Sequence, residues 1–156
     1  MKEQVDRAME LSGQPVKRGS MAHDHDVYMV LADAAAQSQD VDAIKQYAPR
    51  LEELATRDGH KLYLAIAHRA HGIAQCLAGE HAKAEGRLND ALKIFDELGT
   101  RWQIGRTLFA LGELETARSK KPKAREYFTR ALAEFESLEA NPDIERAHAA
   151  LKNLVR

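Results

Sequence analysis

Two stretches of the chain match each other position by position: GIAQCLAGEHAKAEGRLNDALKIFDEL at residues 72–98 and GELETARSKKPKAREYFTRALAEFESL at residues 112–138. Small and large apolar residues recur at one constant offset, so the internal period is 40 residues. A weaker copy lies upstream, within residues 28–54. A fixed period of this length indicates similar supersecondary units stacked in series.

Each unit contains two stretches with helical periodicity. The second stretch is amphipathic, because its apolar residues are spaced by one, three or four positions. In the middle unit these are Ala84, Leu88, Ala91, Leu92, Phe95 and Leu98. The first stretches, residues 62–77 and 102–117, are apolar on more than one side, and we expect them to be more enclosed. The connectors are short, which favours antiparallel neighbours; Pro122 suits a first helical turn and Gly99 a helix end. The sequence therefore predicts an all-α fold of three helix pairs in series, followed by a capping helix.

Irregular segments lie near both ends of this array. Pro49 falls inside the second helix of the weak unit and predicts a kink or break near residues 47–48. We predict a domain over residues 21–156, with repeats at about 22–61, 62–101 and 102–141 and a capping helix at 143–155. Residues 1–20 are a short helix with a linker, or residues 1–18 are a fused peptide, since the GlySerMet at 19–21 resembles a cloning junction. Both alternatives stay open.

The two strong units resemble the tetratricopeptide repeat. Small residues at Gly72/Gly112 and Ala84/Ala124 stand where the helices of a pair approach closely, and large residues at Leu88/Phe128 wedge between them. The units are longer than the common form of about 34 residues and are similar in style to arrays found in signalling regulators. The resemblance implies an α-α superhelix, a solenoid whose first helices line a concave groove.

Composition excludes several classes of protein. The chain has 23 basic and 24 acidic residues, so its formal charge of -1 provides no overall field for nucleic acid or anionic membranes. No window approaches the ~18 apolar residues of a membrane span, and the first residues lack the apolar region of a signal peptide. Cys76 is the only cysteine, so no disulfide can form within the chain. We expect a cytoplasmic protein that binds neither nucleic acid nor membranes.

Candidate chemical groups are few. The run HDHD at residues 23–26 has metal-capable side chains, but it also suits the N-terminal cap of a helix beginning near Val27. His68 and His71 share a helix face near Cys76, and we favour half-buried histidines with local hydrogen bonds over a metal site. No phosphate-binding glycine motif and no paired catalytic carboxylates occur in the sequence. The sequence predicts no metal, no cofactor and no enzymatic activity.

The resemblance also implies which side chains line the groove. They are Ile66, Arg69, Ile73, Cys76, Leu77, Arg106, Phe109, Glu113 and Thr116, with Asp26, Met29, Asp33 and Gln37 at one end and Arg146 and Asn153 at the other. Apolar side chains there suit a peptide anchor, and Arg69 and Arg106 can hold an acidic group in bidentate fashion.

Three hypotheses about function follow from this pattern. The leading one is a non-enzymatic protein–peptide interaction module, acting as a scaffold or as the sensor part of a signalling regulator. The alternative is self-association, in which a terminal helix of one copy docks into the groove of another. The third is a histidine-dependent metalloenzyme.

Overall fold

The structure is a computed structural model that describes residues 21–156. Our expectations for residues 1–20 lie outside this range. The described residues form α-helices and contain no strand: α1 Met21–Gln37, α2 Val41–Asp58, α3 Lys61–Leu77, α4 His81–Leu98, α5 Arg101–Ala117, α6 Lys121–Ser137 and α7 Asn141–Val155. The predicted all-helical class is thus confirmed for this part of the chain.

The helices follow one another at regular intervals. From Val41 onward each helix begins 20 residues after the previous one, so two helices fill the 40-residue period. Every connector contains a residue with left-handed backbone: Gln39, Gly59, Gly79, Gly99, Ser119 or Glu139. This conformation closes a helix C-terminus and turns the chain back on itself. The predicted roles of Gly99 after a helix and of Pro122 in a first turn are confirmed.

The break predicted at Pro49 is wrong. Helix α2 runs without interruption from Val41 to Asp58. Tyr47, Ala48 and Leu51 are buried on both sides of the proline, which is itself exposed. Packing of this apolar face holds the helix together although one backbone hydrogen bond is missing.

Both predicted helix starts at the ends of the domain are also corrected. Helix α1 is already formed at Met21, so the HDHD run lies inside the helix and does not cap one that begins near Val27. His25 is buried, and its Nε2 lies 2.7 Å from a carboxylate oxygen of Asp58 on α2. At the other end, α7 begins at Asn141 rather than 143, since Pro142 fits its first turn.

Glycines allow the helices of a pair to pack closely. A Cβ added to Gly72 would lie 2.7 Å from Leu88 Cγ, and one added to Gly112 would lie 2.6 Å from two ring carbons of Phe128. Both distances are far shorter than a van der Waals contact. The predicted complementarity of small and large residues therefore exists in the structure.

The odd-numbered helices form a layer of their own. Consecutive helices pack against each other, and in addition α1 contacts α3, and α3 contacts α5. As predicted, α3 and α5 are more enclosed than α4 and α6, whose buried residues follow one stripe. Among residues 21–156, no helix combines the length and apolar character needed to cross a bilayer.

Candidate binding cleft

A cleft opens on the layer of odd-numbered helices, and we call it the odd-helix cleft. Its polar end is lined by Gln37, Arg69, Arg106, Phe109 and Arg146. Its apolar end, a pocket of about 300 Å³, is lined by Cys76, Leu77, Leu88 and Ala117. Ile73, Ala110 and Glu113 belong to both ends, so the two ends adjoin.

A cluster of three charged side chains underlies the polar end. Arg106 of α5 donates two hydrogen bonds to the two carboxylate oxygens of Asp33 on α1, at 3.0 and 3.1 Å. Arg69 of α3 donates to the same carboxylate at 3.0 Å and is only 1% exposed. The Arg69 guanidinium lies 5.1 Å from the centre of the Phe95 ring, and that of Arg106 lies 4.6 Å from the Trp102 ring. Aromatic faces therefore help to compensate both buried cations.

This environment shifts the protonation of the cluster. Burial by itself would raise the pKa of Asp33, but the charges and hydrogen bonds of Arg69 and Arg106 outweigh burial and hold it below its ordinary value of 3.8. Burial lowers the pKa of Arg69 to about 10, the charge of Arg106 lowers it as well, and Asp33 opposes both. Asp33 and Arg69 are thus charged at neutral pH, and the guanidinium groups of Arg69 and Arg106 share one carboxylate.

The cleft also contains a desolvated carboxyl group beside an exposed cation. Burial raises the pKa of Glu113, and the charge of Arg146 partly opposes this shift. The guanidinium of Arg146 lies 4.8 Å from the centre of the Phe109 ring and is exposed. It also lies 3.5 Å from Asp143 on its own helix. Arg146 can therefore reach an acidic group outside the chain.

The structure brings most of the predicted groove residues together. Those that line the cleft are Gln37, Arg69, Ile73, Cys76, Leu77, Arg106, Phe109, Glu113 and Arg146. Arg106 contacts a carboxylate in bidentate fashion and Arg69 contacts it through one hydrogen bond, but that carboxylate is Asp33 of the same chain. Sequence reasoning missed Gln39 and Ala110, because neither a connector residue nor an alanine within a helix signals a cleft.

The remaining predicted residues lie elsewhere. Ile66 is buried in the apolar core, and Met29 packs against that core. Thr116 is exposed and donates its hydroxyl to the carbonyl of Gly112, one turn earlier in its own helix. Asp26 accepts a hydrogen bond from the Tyr63 hydroxyl, and Asn153 is exposed outside the cleft.

The two histidines of α3 have partners on the neighbouring helices. Arg87 of α4 donates to Nδ1 of His68 at 2.8 Å and to Glu52 of α2 at 2.7 Å. Nε2 of His71 lies 2.9 Å from the other oxygen of Glu52. Burial lowers the pKa of both histidines, and the Arg87 charge lowers it further, while Glu52 opposes the shift. Both histidines are half-buried as predicted, and a local hydrogen bond is confirmed for His68, whereas Nε2 of His71 lies beside the Glu52 carboxylate without hydrogen-bond geometry. The described residues contain no group of three side chains suited to hold a metal ion.

Arg118, which directly follows α5, has partners on two helix pairs. Arg118 lies 2.9 Å from the buried carboxylate of Glu115 and 2.8 Å from Glu85 on α4. It also donates a hydrogen bond to the His81 carbonyl at 2.9 Å. Arg118 therefore joins the second and third helix pairs.

Comparison with known proteins adds no relative. No protein-family model matches the chain, and no curated protein matches its sequence. The geometry of the odd-helix cleft is therefore the basis for assigning a function.

Proposed function

We propose that the protein is a non-enzymatic interaction module built as a tetratricopeptide-like α-α superhelix. Three features support this architecture: the regular 20-residue spacing of the helix starts, the contacts of α3 with both α1 and α5, and the glycines at the close approaches. In such a solenoid the odd-numbered helices line the concave face, and the odd-helix cleft is part of it. The module serves as a scaffold or as the sensor part of a signalling regulator.

The ligand we propose is a short segment of a partner protein that carries an apolar side chain next to an acidic one. The observation that supports this most directly is the junction of an apolar pocket, near Leu77 and Ile73, with an end that presents Arg146. Burial of an apolar side chain of the segment in the pocket provides binding free energy, and a carboxylate near Arg146 fixes the orientation of the segment. Glu113, which lies between the two ends, can accept a hydrogen bond from a backbone N–H of the segment.

A peptide-display selection on the immobilised protein tests this proposal. We expect the enriched peptides to combine an apolar and an acidic residue at a constant spacing. Bound peptide should slow alkylation of Cys76, the only cysteine of the chain, because this side chain lines the apolar end. Affinity should fall by at least about tenfold, equivalent to about 1.4 kcal/mol, in the Arg146→Glu and Leu77→Glu variants.

The chain offers a matched control for the arginine. Arg130 is also exposed, and its guanidinium lies 5.8 Å from the centre of the Tyr127 ring, but it does not line the odd-helix cleft. The Arg130→Glu variant should bind selected peptides like the wild type. Peptides that bind all three variants equally well, and leave Cys76 unprotected, would show that the cleft is not the binding site.

A second proposal is self-association through the ends of the stack. Apolar side chains are exposed on both terminal helices: Val30 on α1 at 57% and Val155 on α7 at 72%. Either helix can dock into the cleft of a second copy. Light scattering over a concentration series measures this directly, and a monomer at every concentration would eliminate the second proposal.

A further inference from the structure

The pairing of Asp33 with Arg106 joins two helices that are not neighbours in the stack. Asp33 lies on α1 and Arg106 on α5, and α3 packs against both of them. The two residues are 73 positions apart in the chain. Their two hydrogen bonds, at 3.0 and 3.1 Å, have the bidentate geometry of a strong charge-assisted pair. The Asp33–Arg106 pair thus links the first helix pair to the third, past the helix between them.

This pair also limits the exposed fraction of the Arg106 side chain in the cleft. The Arg106 side chain lines the polar end, yet it is only 9% exposed while Asp33 holds it. The nearby Arg69 is buried, and its Nε has no hydrogen-bond partner within the part of the chain that the structure describes. Arg69 also donates to the Gln103 carbonyl at 3.4 Å, so two guanidinium groups with five N–H donors each have one carboxylate and one carbonyl as acceptors.

We propose that the Asp33 carboxylate occupies the Arg106 guanidinium in the absence of a ligand, and that a carboxylate of the bound segment exchanges with it. The exchange releases α1 from α5 and widens the odd-helix cleft. This inference rests on the proposed peptide-binding function and specifies an acidic side chain as the exchanging group. The incoming carboxylate replaces Asp33 as the counter-charge of Arg106. A segment already anchored in the apolar end competes at a high effective concentration, which a free carboxylate in solution lacks.

Release of the pair can be measured without any peptide. In the Asp33→Asn variant the link between α1 and α5 is weakened, so we expect iodoacetamide to alkylate Cys76 faster than in the wild type, on the order of tenfold. The Asp26→Asn variant is the matched control, since it makes the same chemical change on the same helix at a residue bonded to Tyr63. Its alkylation rate should equal that of the wild type.

A variant that unfolds would also expose Cys76, and two measurements separate this case from release of the pair. Far-UV circular dichroism must remain that of the wild type, and the alkylation rate must stay well below the rate in denaturant. The double variant Asp33→Asn with Arg106→Gln removes one charge of each sign and leaves the net charge of the cluster unchanged. Folded variants that alkylate at the wild-type rate would overturn the inference.

Exchange itself is tested with formate as the probe. In the Asp33→Ala variant, formate should raise the melting temperature relative to sodium chloride at equal ionic strength. The wild type should not respond, since its own carboxylate already occupies Arg106. If formate acts no differently from chloride on the variant, an external carboxylate does not take the place of Asp33, and the inference fails. These assays use no peptide, so their failure leaves the peptide-binding proposal standing, and failed peptide selection leaves their outcome unchanged.

Discussion

Replacing Gly112 with alanine tests the close packing of helices that positions the cleft. The added methyl group would lie 2.6 Å from two carbons of the Phe128 ring and 2.9 Å from a third, whereas ordinary contacts begin at 3.4 Å. The buried ring must therefore move by roughly 1 Å, and such overpacking costs about 1–3 kcal/mol. The gain in helix propensity returns about 1 kcal/mol. Because the clash involves a whole ring edge, we expect an overpacking cost near the upper end, about 3 kcal/mol. The net destabilisation is then about 2 kcal/mol.

Gly86 provides the opposite case on a neighbouring helix. It lies inside α4, and an added Cβ would meet no atom within 4 Å. Gly86→Ala should therefore stabilise the protein by up to about 1 kcal/mol through helix propensity alone. For a chain of this size, thermal melting should show Gly112→Ala about 4–8 °C below and Gly86→Ala about 2–4 °C above the wild type. Adding Phe128→Leu should remove much of the penalty at Gly112. If both glycine variants melt at or above the wild type, the helices are not as close as described.

Three further perturbations probe the interior. Burial and the Arg87 charge lower the pKa of His68, so the folded state favours the neutral imidazole. The contribution of His68 to the free energy of unfolding is therefore complete above pH 6.5 and is lost as the pH falls through the lowered pKa of the folded state. His68→Asn keeps an acceptor for Arg87 and should flatten this part of a melting-temperature profile from pH 7.5 to 5. Pro49→Ala restores a helical N–H at an exposed position and should stabilise by about 2 kcal/mol in urea unfolding, whereas no gain would mean that the helix is already adapted to proline. Arg118→Ala leaves the buried Glu115 without its closest cation and should cost about 3–5 kcal/mol, less if Lys123 moves in from 3.7 Å; Glu115→Gln in the same background should recover part of the loss.

The helices could be predicted because the information for each is local. Periodic apolar residues, Gly99 after one helix and Pro122 in the first turn of another act within a few positions of themselves, and the structure follows them. Pro49 shows the limit of such reasoning. Its local preference is real, but the burial of Tyr47 and Leu51 by other helices outweighs it.

The site was predictable only in part, for a related reason. The resemblance to the tetratricopeptide repeat, aligned through the 40-residue register, implied which residues of α3 and α5 face the same side, and several of these line the cleft. Whether Asp33 reaches Arg106 depends on the small rotation between successive helix pairs, and no sequence pattern specifies that angle. The burial of His25 beside Asp58 likewise depends on which helices meet.

Because the helix starts are evenly spaced, the chain is divided into units of equal length. Helices α3 and α5 begin 40 residues apart, at Lys61 and Arg101, and both follow a two-residue connector that starts with a left-handed glycine. Excising residues 61–100 would therefore join His60 to Arg101 without shifting the phase of any later helix. Gain or loss of whole units can therefore change the length of the helix stack while the packing inside each remaining unit stays the same.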